Sequence, residues 1–187
     1  MQREKIASGN YYHIYNRGNN GQDIFFEEMN YYYFFNLIKK YLVPISKIYA
    51  YCLLKNHFHI LLRINDDENN PSKYFSNLFN AYTKAINKKY ARTGSLLEKP
   101  FKRIKIDDES YLKNLILYIH LNPEHHQITN NFTNYKYSTF KTCLSSKETN
   151  IAREDVLIFF DGKENFNETH LVKRILINEK NKAIYLE

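Results

Sequence analysis

Hydrophobic and polar positions alternate through residues 11–16, YYHIYN, and the run ends in RGNNGQ, rich in glycine and asparagine. A strand followed by a loop is predicted there. From Glu27 to Leu42 the spacing changes: Tyr31, Phe34, Phe35, Leu37, Ile38 and Tyr41 recur at helical intervals, and Pro44 closes the helix region. Two strands are expected over 45–54 and 57–64. Only Lys55 and Asn56 separate them, so they form an antiparallel hairpin. A polar loop, NDDENNPS, leads to a second helix near 72–90, with Phe75, Leu78, Phe79, Tyr82 and Ile86 on its apolar face. After a turn at ARTGS, the stretch KPFKRIKID predicts a short basic strand. A third helix is expected from about Asp108 to Asn122, capped by Asp107 or Asp108 and stopped by Pro123.

The order strand–helix–strand–strand–helix–strand–helix is a split βαβ, ferredoxin-like plan, an α+β fold built on an antiparallel sheet. Residues 1–140 are expected to form this domain. Residues 141–187 read as a C-terminal helical appendage, with helices in EDVLIFF and HLVKRILINEK. No internal repeat or low-complexity tract interrupts the pattern.

Composition narrows the class. Of 187 residues 43% are hydrophobic, enough for a core. The formal charge of +7 favours a polyanionic partner. Seventeen tyrosines and thirteen phenylalanines, interspersed with lysines, suit base stacking beside phosphate contacts, although most rings must be core. Cys52 and Cys143 form no CxxC pair, which points to a reducing interior. No apolar run approaches ~18 residues and the N-terminus lacks a signal-peptide apolar region, so a cytoplasmic, nucleoid-associated location without membrane contact is expected.

The stretch LKNHFHILLR carries the candidate chemistry. Alternation puts His57 and His59 on one face of a strand, where two imidazoles can share a metal ion. A lone histidine there would be a satisfied core or surface residue. In SYLKNLILYIHLNP, Tyr118 and Asn122 stand four apart and share a helix face. Tyr118 also fits an amphipathic core position, and Asn122 fits a C-terminal cap. The Asn122 carbonyl oxygen beside two imidazoles would make a third ligand. His120, His125 and His126 are rival ligands, but His120 is two residues from Tyr118 and points elsewhere on the helix.

These motifs together resemble a known family. NHFH resembles the His-hydrophobic-His (HUH) signature of single-tyrosine transposases. YIHLNP is similar to the tyrosine helix of the REP-associated tyrosine transposases, relatives of the insertion-sequence-200 group. YHIYNRGNN, YAYCLLKNHFHILL, GSLLEKPFKRIKIDDESYLKNLILYIHLNP and YKYSTF agree in order over about residues 11–140. The chain departs from many relatives at Leu54–Lys55, at Glu98–Phe101, and at Glu124–His125. By resemblance, His57, His59 and Asn122 are ligands of Mg²⁺ or Mn²⁺, and Tyr118 is a nucleophile forming a 5′-phosphotyrosine link on single-stranded DNA. A hairpin in that DNA is the implied partner. Arg17, Asn19 and Asn20 in the first loop, with Lys99, Lys102, Arg103 and Lys105, are expected phosphate contacts beside the metal site. A domesticated protein that binds or nicks hairpins, and a purely binding module without a metal, are the alternatives. The family offers dimers with shared sites and monomers. The C-terminal appendage, packed on the core to hold the Tyr118 helix in cis, favours a monomer.

Overall fold

A computed structural model describes residues 5–65 and 70–184; positions 66–69 of the expected polar loop lie outside the described residues. The elements run β1 (Tyr11–Arg17), α1 (Glu28–Tyr41), β2 (Ser46–Leu54), β3 (His57–Ile64), α2 (Pro71–Lys89), β4 (Lys102–Ile106) and α3 (Glu109–His125). Three further helices follow: α4 (Phe140–Leu144), α5 (Arg153–Phe159) and α6 (Lys163–Ile184). The strands form one antiparallel sheet in the order β2-β3-β1-β4, the arrangement a split βαβ plan requires. The fold is α+β, as the sequence predicts.

Local chemistry sets the elements. Glu27 and Asn30 cap α1 reciprocally, each side chain accepting from the other's backbone N–H. Asp108 caps α3, accepting from the backbone N–H groups of Ser110 and Tyr111. Gly18 closes β1, donating its N–H to the Asn56 carbonyl at 2.8 Å. A Cβ there would meet the Gln22 carbonyl oxygen at 1.9 Å, so only glycine lets the loop after β1 fold back this closely.

The pleat divides the side chains between two cores. Tyr12, Ile14, Phe58, Ile60 and Leu62 face α1 and α2, meeting Phe34, Ile38, Phe75 and Tyr82. Leu54, Leu61 and Ile106 face the other way, onto Leu112, Ile116 and Ile119 of α3. Val156, Phe160 and Phe166 belong to this second core, so the C-terminal helices share apolar packing with α3. The free edge of β2 is covered. Leu53 donates to the Tyr137 carbonyl, and Thr139 and Ala152 donate to the carbonyls of Tyr51 and Ile48.

Two boundaries and one short helix depart from the sequence reading. α3 continues past Pro123 to His125, because a proline near a helix end removes only its own N–H while the Asn122 carbonyl still accepts from His126 at 3.0 Å. α6 starts at Lys163, because its inner stripe begins at Phe166 and His170, and a histidine does not register in an apolar count. Consequently Leu171, Val172, Ile175 and Leu176 face outward, contrary to the expectation that HLVKRILINEK buries its apolar positions. The short α4 carries no periodicity long enough to announce it.

A buried hydrogen-bond chain joins α3 to α6. His170 Nδ1 lies 2.6 Å from the Phe166 carbonyl, so it carries a proton and its Nε2 is an acceptor. His120 Nδ1 donates to that Nε2 at 2.8 Å, and Thr139 Oγ1 donates to His120 Nε2 at 2.8 Å. Both rings are neutral: desolvation lowers the His170 pKa to about 4 and drives that of His120 well below the usual range. In the unfolded chain each titrates near its ordinary value of ~6.5. The unfolded state therefore binds more protons between about pH 6.5 and 4, and stability falls as pH drops through that window. The expected slope is up to ~1.4 kcal/mol per pH unit for each histidine. Urea unfolding at pH 7 and pH 5 checks this, and equal midpoints would refute it.

Candidate active site

The sheet's second face carries the cluster that the alternation predicts. Tyr15 pairs with His59 and Arg17 with His57 in the β1–β3 register, so these side chains share a face. His57 and His59 stand edge to face, with ring centroids 5.3 Å apart. α3 crosses above them. Tyr118 brings its ring to 5.4 Å from that of His59, also edge to face, and remains 43% exposed. Asn122, one turn further, is fully buried and presents Oδ1 to His57 Nε2 at 3.3 Å.

Hydrogen bonds fix how the imidazoles face. His57 Nδ1 lies 2.7 Å from Asn56 Oδ1, so it donates there and leaves an Nε2 lone pair facing Asn122 Oδ1. Two acceptors then face each other. Among the described residues, the buried Asn122 Nδ2 has no hydrogen-bond partner. Protonation does not relieve the contact at neutral pH, because burial, reinforced by His126, lowers the His57 pKa to about 4. His59 Nδ1 contacts His13 Nε2 at 2.9 Å. Burial, with the charges of His13, His57 and His126 added, lowers its pKa to about 2; burial lowers that of His13 to about 4. Neutral imidazoles with their Nδ1 atoms engaged, and a carbonyl oxygen short of a positive partner, fit a divalent cation. Among the described residues, no group of three or more His, Cys, Asp or Glu side chains is arranged to hold an ion. The candidate set is two imidazoles and one amide.

A groove of about 460 Å³ opens beside the cluster, lined by Tyr15, Arg17, His57, His59, Lys102 and Tyr118, among others. Arg17 forms an ion pair with Glu98 at its rim. Asn19 and Asn20 shape the adjoining turn, Asn20 with a positive φ of 55°, but they do not line the groove. Lys99 lies along a separate hollow with Asn80 and Phe101. Arg103 and Lys105 pair with Ile14 and Tyr12, which puts them on the opposite face of the sheet from Lys102. The guanidinium of Arg103 lies over the Phe101 ring. Of the seven expected phosphate contacts, Arg17 and Lys102 are thus the two brought to this groove.

His120 is committed to the α6 network and is not part of the site. His126 does belong: its ring lies 4.6 Å from His57, and it lines the groove. Sequence alone does not single out His13, which reads as an ordinary strand residue, or Asn56, which reads as part of a turn. Their signal was polarity inside an otherwise buried strand and beside the first imidazole.

No protein-family model and no curated protein sequence matches the chain. The fold is similar to a solved structure of a REP-associated tyrosine transposase bound to a REP hairpin. The TM-score is 0.63 at 16% sequence identity, over 78% of this chain and 85% of that one. The likeness is one of fold.

Proposed function

We propose that the chain is a metal-dependent single-stranded DNA endonuclease and strand transferase, acting on strands folded into hairpins and forming a 5′-phosphotyrosine intermediate. The observation that carries this reading is the convergence of Tyr118 from α3 with His57 and His59 from β3, and of Asn122 with His57. The transposase whose structure is similar to this one is bound to a DNA hairpin, and the basic groove beside Tyr118 suits the same class of ligand.

In this mechanism Arg17 and Lys102 hold the strand by its phosphates. His57, His59 and Asn122 would hold Mg²⁺ or Mn²⁺, which offsets the negative charge that develops as a phosphate is attacked. The deprotonated Tyr118 oxygen attacks phosphorus, a new P–O bond forms, and the bond to the 3′ oxygen breaks. That oxygen takes up a proton and leaves as a 3′-hydroxyl. The tyrosine ester conserves the phosphodiester energy, so a second 3′-hydroxyl can displace Tyr118 and reseal the strand without ATP. The test is incubation with labelled single-stranded hairpins and Mn²⁺, followed by a denaturing gel. A covalent adduct is expected; its absence across hairpins from the gene's own flanks would defeat the reading.

Two expectations follow for binding and assembly. Hairpin affinity falls with salt at a log–log slope of about 0.7 per neutralised phosphate. Lys102→Gln should flatten that slope by about 0.7, whereas Arg103→Gln, on the other face, should leave it unchanged. An unchanged slope in Lys102→Gln would return Lys102 to an ordinary solvated charge. The chain is proposed to act as a monomer, because the Tyr118 helix is tied within its own chain by the His120–His170 contact and the Glu124–Arg174 ion pair. Light scattering should report about 22.5 kDa, and twice that mass would overturn it.

A further inference from the structure

Tyr118 has a second open flank. A groove of about 430 Å³ lies between α3 and the β1–β4 edge, separate from the groove that holds Arg17 and Lys102. Tyr111, Asn114 and Tyr118 line it from one face of α3, at spacings of three and four residues. His13 and Tyr15 form its floor, stacked with ring centroids 4.7 Å apart, and Ile104 of β4 closes the far wall. Ile104, Tyr111 and Tyr118 are each 40–44% exposed, which leaves apolar surface open beside a polar site.

The lining indicates one kind of occupant. Rings on two walls and an aliphatic third wall accept a flat, apolar-faced group. Asn114 supplies a polar edge: its Nδ2 is committed to the Ser110 carbonyl, and its Oδ1 remains an acceptor, with Lys173 Nζ 3.5 Å away. No carboxylate is among the described lining residues, and Lys102 stands in the adjoining groove. The two grooves share Tyr15, His59 and Tyr118, so a strand whose phosphate reaches Tyr118 from the first is carried to the mouth of the second. We propose that this second groove receives an unpaired nucleobase of the strand, next to the phosphate that Tyr118 attacks, stacking on Tyr111 and presenting a donor edge to Asn114. The site selects a splayed-out nucleotide at the cleavage position, and thereby where on the strand the cut falls. This rests on the proposed strand-transfer function.

The experiment scans single abasic positions along the single-stranded flank of a labelled hairpin, reading affinity by fluorescence anisotropy and cleavage on a denaturing gel. With the wild type, one or two adjacent positions should lose affinity about 5- to 150-fold, the range for stacking one base on an aromatic side chain. Tyr111→Ala should weaken the intact hairpin by a similar factor and abolish the abasic penalty at that position. Ile104→Thr, which keeps a β-branched residue in the strand, should reduce it in part and guards against misfolding of the first variant. Binding and cleavage with a flat abasic profile, or a penalty that persists in both variants, overturns this inference alone. Failure of the wild type to bind or cleave any hairpin overturns the proposed function and this inference with it.

Discussion

Tyr118→Phe is expected to abolish the proposed covalent adduct with DNA and to leave hairpin affinity within about twofold of the wild type, the range of a mild surface substitution. The ring is kept, so its edge-to-face contact with His59 at 5.4 Å and its share of the groove wall are kept as well. Only the hydroxyl is lost, and among the described residues the one other phenol in the cluster is Tyr15, whose ring lies 5.7 Å from that of His59. Labelled hairpin, Mn²⁺ and a denaturing gel give the first readout, and anisotropy gives the second. Were the variant to form the adduct at the wild-type rate, the nucleophile would be another tyrosine. Tyr111, seven residues earlier on α3 and 44% exposed, is first in line. The companion Tyr111→Phe is expected to keep the adduct.

The arrangement explains why that hydroxyl is reachable. Tyr118 projects from a helix whose inner face, Leu115, Ile116, Ile119 and Leu121, is locked into the second core. The histidines beneath it lie on a strand paired on both sides, β2 and β1. Rigid elements therefore set the distance between Tyr118 and the imidazoles, whereas the groove in front is walled partly by the turn that Gly18 and Asn20 shape. Loss of the α6 clamp through His120 and Glu124 would act on the site only through the position of α3.

Much of this was legible in the chain. β3 from 57 to 64 is legible as an apolar run, and the pleat of a strand puts His57 and His59 on one face. The i,i+4 spacing brings Tyr118 and Asn122 to one helix face. What periodicity does not carry is register between strands distant in sequence. His13 meets His59 across 46 residues, and only the observed β1–β3 pairing reveals it. The facing of Arg103 is a different matter. Its parity relative to Lys102 follows from the pleat, which proximity in sequence does not express. The extent of α3 beyond Pro123 depended on hydrogen bonds from residues after the helix, which no local pattern states.

Mn²⁺ binding is expected to disappear in the double variant His57→Ala, His59→Ala and to weaken by about 10- to 100-fold in His13→Phe, the cost of removing an outer partner that orients a ligand. Isothermal titration on the DNA-free protein reads both without recourse to activity. His13 matters because one of its nitrogens holds His59 Nδ1 at 2.9 Å, which leaves His59 Nε2 for the ion. Asn122 gives the sharpest discrimination. With Oδ1 towards His57 Nε2, Asn122→Asp keeps an oxygen in place and adds a charge, so affinity should hold or rise. Were the amide turned over, with its nitrogen donating to His57, the same change would remove that donor, place two acceptors together and raise the His57 pKa. In that case metal affinity would show no gain, whereas a gain in histidine protonation by NMR is expected with either orientation, because a carboxylate beside His57 favours its charged form. Because burial holds His57 near pKa 4 and His59 near 2, protons should not compete with Mn²⁺ until pH falls towards 4. Affinity that already collapsed between pH 7 and 6 would mean that an imidazole of ordinary pKa, such as one outside this cluster, supplies the ligand.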